Sequence, residues 1–180
     1  AARYCYRYQY DGRGNIVERR LPGKDVEYLV YDPAGRVVAV QDGATRSSGK
    51  WLLTRYDNFG RQTNVYLSAA TTRTELESQF ASNPYPAIYS DPGNTLVAEY
   101  QYGKPVSAMF SFVPESGYVS SSDRYRDSTG MKTYEKTADM STLGSIVRYS
   151  ERAFYYDYKG RTIQTVEKNL NGGIDRTSFK

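Results

Sequence analysis

The stretch Tyr31-Asp32-Pro33-Ala34-Gly35-Arg36 decides how this chain folds. Asp in the first place and Gly in the fourth are preferred in a type I turn, and the fixed φ of Pro33 suits the second place. The Asp carboxylate can accept a bond from the backbone two residues on. Gly then takes the left-handed conformation that closes a β-hairpin with a G1 bulge. The six residues therefore read as a hairpin tip, with Tyr31 ending the incoming strand and Arg36 opening the outgoing one.

The pattern recurs at Tyr56-Asp57-Asn58-Phe59-Gly60-Arg61 and at Tyr156-Asp157-Tyr158-Lys159-Gly160-Arg161. A variant, Tyr10-Asp11-Gly12-Arg13-Gly14-Asn15, ends in Asn. Successive copies start 21, 25 and 100 residues apart, so the last gap holds an insertion. A half-copy, Tyr100-Gln101-Tyr102-Gly103-Lys104, lies inside it.

The flanks read as strands. Tyr4, Tyr6, Tyr8 and Tyr10 alternate with Cys5, Arg7 and Gln9, the period of two that gives a strand two different faces. Residues 16–21 and 26–31 flank the turn Pro22-Gly23-Lys24-Asp25, and residues 37–41 leave the second tip. Residues 51–56 with 62–67, and 147–156 with 162–168, form further hairpins. Many short strands with turn signals every 8–12 residues predict an all-β antiparallel meander. One short helix is predicted near residues 72–82. Thr72 and Glu75 form a capping box, Leu76 and Phe80 share a face, and Asn83-Pro84 ends it. Residues 84–94 and 116–122 read as connecting loops.

The chain reads as one segment over residues 1–180. Residues 1–67 carry three hairpins, 68–95 a helix and loop insert, 96–150 further strands and loops, and 151–180 the last hairpin.

Composition narrows the chemistry. The 180 residues include 19 Tyr, one Cys, one Trp and no His. Leu, Ile, Val and Phe number 33, about 18% of the chain, so Tyr must carry much of the burial. Without His there is no imidazole base, no Ser-His-Asp triad and no His metal ligand. Cys5 alone forms no intrachain disulfide and reads as a small strand residue. The net charge is +4 and the pI about 9.0. Its basic residues are scattered, which predicts a mixed-sign surface and no nucleic-acid partner. No stretch is long and apolar enough to span a membrane, and no signal peptide is visible. The chain begins without Met and reads as part of a longer protein.

The repeated Asp11, Asp32, Asp57 and Asp157 occupy equal turn positions, which turn geometry explains better than a carboxylate pair for catalysis. The Asp11–Asn15 loop has too few acids for a calcium site. No metal site, cofactor or catalytic residue is expected. Arg36, Arg61 and Arg161 either pair with their own Asp across the bulge or lie solvated with the stem over a Tyr ring. The row Tyr4, Tyr6, Tyr8, Tyr10 either packs on the core or a neighbouring strand, or stays open to stack on sugars or a partner protein. The packed reading is the expected one.

The Tyr-Asp-x-x-Gly-Arg hairpins resemble YD repeats, also called RHS repeats. The stretches Tyr4-Cys5-Tyr6-Arg7-Tyr8-Gln9-Tyr10-Asp11, Gly49-Lys50-Trp51-Leu52, residues Tyr155 to Thr165, and Gly172-Gly173-Ile174-Asp175-Arg176 are similar to a bacterial subgroup of that family. The likeness is strong over residues 3–67 and 153–180 and loose over 68–150. It implies antiparallel β-strips that spiral into a hollow shell in secreted or cell-surface proteins, which in toxins encloses a C-terminal effector. It implies no enzymatic role, and a structural role for Tyr10, Asp11, Gly14, Tyr31, Asp32, Gly35, Arg36, Tyr56, Asp57, Gly60, Arg61, Tyr156, Asp157, Gly160 and Arg161. It implies carbohydrate binding for some repeats, for which Tyr4, Tyr6 and Tyr8 are the candidates here. The expected partners are neighbouring repeats of the same polypeptide, a glycan or cell-surface protein, and further copies joined through bare sheet edges.

A Gly35→Val or Gly60→Val substitution should lower stability by about 1–3 kcal/mol, because a β-branched residue resists positive φ. Chemical denaturation of each variant checks this; an unchanged midpoint would remove the left-handed turn from the argument.

Overall fold

The computed structural model describes residues 4–69, 72–103, 107–125, 128–142, 145–169 and 171–180. It is an all-β antiparallel meander. Eleven strands follow one another in chain order: β1 Arg7–Tyr10, β2 Ile16–Arg20, β3 Glu27–Tyr31, β4 Val37–Gln41, β5 Trp51–Tyr56, β6 Gln62–Ser68, β7 Thr95–Tyr102, β8 Lys132–Thr142, β9 Ser145–Tyr156, β10 Thr162–Lys168 and β11 Ile174–Ser178. The chain forms two compact units, residues 1–97 with 142–145, and residues 98–141 with 146–180.

Five of the hairpins share one register. Val30 faces Ala39 while Tyr31 faces Val37, so Val38 is an extra residue on the outgoing strand. The same shift of one residue separates Gln9/Tyr10, Arg55/Tyr56, Gln101/Tyr102 and Tyr155/Tyr156 from their partners on β2, β6, β8 and β10. A bulge of this kind increases the local twist and re-aims the side chains next to it. The Tyr before each turn is therefore set in the same place in each hairpin.

In the first unit the core is Val30, Val38, Ala39, Trp51, Leu53, Leu76, Phe80 and Tyr89, with Tyr28, Tyr56, Tyr66 and Ile88 packed at its margin. Ala39 pairs with Leu53 across β4 and β5, and Leu53 with Tyr66 across β5 and β6, which lines apolar side chains along one face. The predicted helix is present as α2, Arg73–Phe80. The Thr72 side chain accepts from the Glu75 N–H, and the Glu75 carboxylate accepts from the Thr72 N–H. Leu76 and Phe80, one turn apart, are both fully buried.

Two local features go beyond the sequence reading. A five-residue helix, α1 Gly43–Ser47, follows β4. Its N-cap Asp42 and the Thr45 side chain satisfy each other's backbone N–H groups. The Pro-rich connection carries a 3-10 turn at Ala87–Ser90, which drives Tyr89 into the core. There Tyr89 stands edge-on to Phe80 with ring centres 5.6 Å apart, and its hydroxyl donates to the Thr54 carbonyl at 2.5 Å. Burial raises the pKa of that hydroxyl.

In the second unit the core is Phe110, Val119, Ala153, Tyr155, Ile163 and Val166, joined by Phe112, Tyr134 and Ile174. Between β7 and β8, residues 107–125 supply Phe110, Phe112 and Val119 to that core.

Candidate functional site: an interlocked ladder of hairpin turns

Each turn is built the same way. The Asp N–H donates to the carbonyl of the residue four on, and the Gly N–H donates to the Asp carbonyl, at 2.9–3.1 Å for the turns starting at Asp11, Asp32, Asp57 and Asp157. Gly14, Gly35, Gly60 and Gly160 hold φ of 85°, 75°, 78° and 78°. This is the type I turn with a left-handed Gly that the residue pattern calls for.

The Asp carboxylate pins the loop from inside. Asp32 Oδ1 accepts from the Ala34 and Arg36 N–H groups at 2.9 and 3.0 Å, and Oδ2 accepts from Arg36 Nε at 2.7 Å. Asp57 takes the same three bonds from Phe59 and Arg61, and Asp157 takes them from Lys159 and Arg161. In the variant copy, Asn15 Nδ2 replaces the guanidinium and donates to Asp11 Oδ2 at 2.8 Å. The change from Arg to Asn keeps the bond and loses the charge.

All three Arg side chains are paired with their own Asp. The Arg36 guanidinium also lies over the Tyr56 ring of the next hairpin, 5.0 Å from its centre, so Arg36 pairs with its own Asp and covers a Tyr ring without lying solvated. Its Nη1 donates to the Asp57 carbonyl at 3.3 Å. Arg61 lies over Phe59 in its own turn. Arg161 pairs with Asp157 while its side chain stays largely exposed.

The Tyr residues tie hairpins together. Tyr31 donates its hydroxyl to the Ile16 carbonyl, and Tyr56 donates to the Val37 carbonyl, both at 2.9 Å. Tyr156 donates to the Lys132 carbonyl at 2.7 Å. Ile16, Val37 and Lys132 each stand first in the outgoing strand of the preceding hairpin. Burial raises the pKa of all three hydroxyls, which keeps them protonated donors.

Two further turns belong to this ladder, and one of them lies at the half-copy already visible in the sequence. At the end of β10, Asn169 replaces Asp. Its Oδ1 accepts from the Asn171 and Gly173 N–H groups, and Gly172 holds φ 83°. At the β7–β8 hairpin, Gly103 and Met131 stand where Asp and Arg stand elsewhere. The Gly103 N–H donates to the Met131 carbonyl at 2.9 Å, and Tyr102 faces Lys132. The described part of the half-copy, residues 100–103, thus forms one side of a hairpin in which the insertion takes the place of the tip. Residues 104–106 lie outside the described residues. The Asn for Asp exchange and the Gly-Met closure leave no Tyr-Asp-x-x-Gly-Arg string to find.

The row of tyrosines corrects the packed reading. Tyr4, Tyr6, Tyr8 and Tyr10 are 84%, 66%, 43% and 60% exposed. Only Tyr8 and Tyr10 lie in β1; Tyr4 and Tyr6 precede it. The cause is position. Among the described residues β1 pairs with β2 alone, and all four of its residues are exposed.

Other chemistry is sparse. A groove of about 560 Å³ runs between the first two turns and α2, lined by Asp11, Asn15, Tyr31, Asp32, Arg73 and Glu77 among others. Those six side chains are already engaged with protein partners. Among the described residues no group of three or more His, Cys, Asp or Glu side chains converges as a metal site would require. No helix among them is long and apolar enough to cross a membrane.

No family model matches the chain, and no curated protein matches it. Among solved structures it is similar to a chain of the crystal structure of TcdB2-TccC3, at 11% identity and a TM-score of 0.43. It is also similar to a chain of the crystal structure of TcdB2-TccC3-TEV, at 14% identity and a TM-score of 0.31. Each likeness covers 96% of this chain, and 8% and 9% of those chains.

Tyr56→Phe should cost about 1 kcal/mol by leaving the Val37 carbonyl without its donor. Tyr10→Phe, on an exposed ring, should cost close to nothing. Equal effects in urea titrations would refute the link between hairpins. Acid stability supplies a second test. Burial works to raise the Asp57 carboxyl, but the N–H and guanidinium donors of Arg61 and the Phe59 N–H outweigh it and hold it below 3.8. Asp157 is balanced in the same way, and the Asn15 side chain leads the lowering at Asp11. A carboxyl depressed in the fold contributes stability above its unfolded pKa and loses it as pH falls through the folded one. The melting temperature should therefore drop from about pH 4 downwards. Asp57→Asn, which can keep the backbone bonds as Asn169 does, should make that drop shallower; an unchanged profile would count against the carboxylate.

Proposed function

We propose that this chain is a non-catalytic structural segment of a YD/RHS-repeat shell. It belongs to a large secreted or cell-surface bacterial protein and helps to enclose or display a C-terminal effector. The observation that carries this reading is the use made of the repeated residues. Each Asp closes its own turn. Tyr31, Tyr56 and Tyr156 join one hairpin to the one before, and Arg36 joins one to the one after. Side chains consumed in this way hold strands at a set spacing and do not converge on a substrate. Recurrent hairpins that each contact their neighbours build an extended wall by repetition. Neighbouring YD repeats of the same polypeptide are the partners, and β1, the end strand of the sheet among the described residues, is where they would pair.

A second reading, a glycan- or cell-surface-binding module, is favoured by one observation, the exposure of Tyr4, Tyr6 and Tyr8. Open Tyr rings present flat apolar faces together with a hydroxyl.

A glycan array separates the two. The shell reading expects no specific binding. Binding that is specific and disappears in a Tyr4→Ala, Tyr6→Ala, Tyr8→Ala triple variant would replace the shell reading with the module.

A further inference from the structure

The insertion in the β7–β8 hairpin is held on the second unit in a particular manner. Ala108–Phe110 form a 3-10 turn, after which Ser111 runs extended with φ −62° and ψ 146°. Phe110 is buried and stands edge-on to Tyr134 of β8, with ring centres 5.8 Å apart. Phe112 stands edge-on to Tyr155 of β9 at 5.4 Å. The Arg124 guanidinium covers both of these rings, 5.8 Å from Phe112 and 4.9 Å from Tyr155.

The sheet also reads the backbone of this strap. The Tyr155 hydroxyl donates to the Phe110 carbonyl at 2.6 Å. Gln164 of β10, 1% exposed, engages both backbone groups of one residue: its Oε1 accepts from the Val113 N–H at 3.0 Å, and its Nε2 donates to the Val113 carbonyl at 2.7 Å. Nε2 also donates to Ser178 Oγ at 3.1 Å, which orients the amide. Tyr155 and Gln164 are directly paired across β9 and β10, so the polar groups sit side by side.

A segment that merely covers an apolar face needs apolar side chains. This one has three backbone groups bonded by side chains of the sheet, and a fully buried Gln is costly unless its amide is satisfied in this way. Val113 itself is 43% exposed, so what holds it is its backbone rather than its side chain. Backbone bonds supply affinity, and pockets for alternate side chains supply selectivity, in the recognition of extended peptides.

We propose that the face formed by Tyr134, Tyr155 and Gln164 is a recognition site for a peptide that leaves a 3-10 turn and runs on extended, with aromatic residues two positions apart, and that the chain's own Phe110–Val113 segment occupies it in cis. The same segment offered in trans takes the vacated site. The covalent link keeps the cis occupant at high effective concentration, so the natural chain excludes a free competitor.

The test uses the full chain with Phe110→Ser and Phe112→Ser, and as probe a peptide with the sequence of residues 107–114, Ser-Ala-Met-Phe-Ser-Phe-Val-Pro. Side-chain amide resonances of 15N-labelled protein report on Gln164, assigned by their loss in Gln164→Ala. The proposal expects a saturable shift of the Gln164 amide in the double variant, binding at least about tenfold weaker in the natural chain, and no shift with a probe in which both Phe are Ser. A folded double variant without a saturable shift overturns it. If the double variant loses its β-sheet circular dichroism, amide exchange decides. The Val113 N–H should exchange slowly in the natural chain and at least about tenfold faster in Gln164→Ala. Equal exchange in the two overturns the proposal.

Discussion

A tyrosine hydroxyl donating to a main-chain carbonyl of the preceding hairpin is the interaction on which the rest of this structure depends. Sheet hydrogen bonds alone fix neighbouring strands, and they permit slippage by two residues without changing which side chains face the core. The bonds from Tyr31 to Ile16, Tyr56 to Val37 and Tyr156 to Lys132 remove that freedom, because the donor sits at a turn and the acceptor at the foot of another. A half-buried hydroxyl has a strong reason to find its acceptor, since an unsatisfied polar group away from water costs more than a made bond returns. The Asp inside each turn serves the same end. It fixes the tip, and the tip fixes where the Tyr stands.

That arrangement explains how the meander carries a large insertion. The β7–β8 hairpin has lost Asp and Arg, yet it keeps the closing bond from Gly103 to Met131, the bulge and the carbonyl that Tyr156 needs. The unit that is repeated is thus the pair of strands with its Tyr. The loop sequence is one way of closing it. Residues 107–125 of the insertion place Phe110, Phe112 and Val119 on the second core, which without them would present Tyr155, Ile163 and Val166 with less cover.

The helices follow different logic. Leu76 and Phe80 lie one helical turn apart and fill the first core beside Trp51 and Leu53. Tyr28 on β3 has the guanidinium of Arg46 from α1 at 5.1 Å and that of Arg73 from α2 at 5.3 Å, so both helices hold the same ring. Cation–π contacts of this kind are individually worth about 0.5–1 kcal/mol at exposed sites. Arg73 adds ion pairs to Glu18 and Glu77.

Residue order was enough to read the four Asp turns and α2, because each rests on contacts within four residues: a carboxylate to its own loop, a capping box to its own first turn. The meander followed from the period-two flanks that those turns join. α1 carried a local signal as well, in Asp42 and Thr45, though too short to stand out from a loop. The exposure of Tyr4, Tyr6, Tyr8 and Tyr10 was not legible, since alternation describes two faces without saying whether anything covers either. Nor were the partners of Gln164, Tyr155 and Tyr156, which lie 14 to 51 residues away in the chain. Bonds of that span arise only when the sheet has brought distant strands into register, and no local pattern records them.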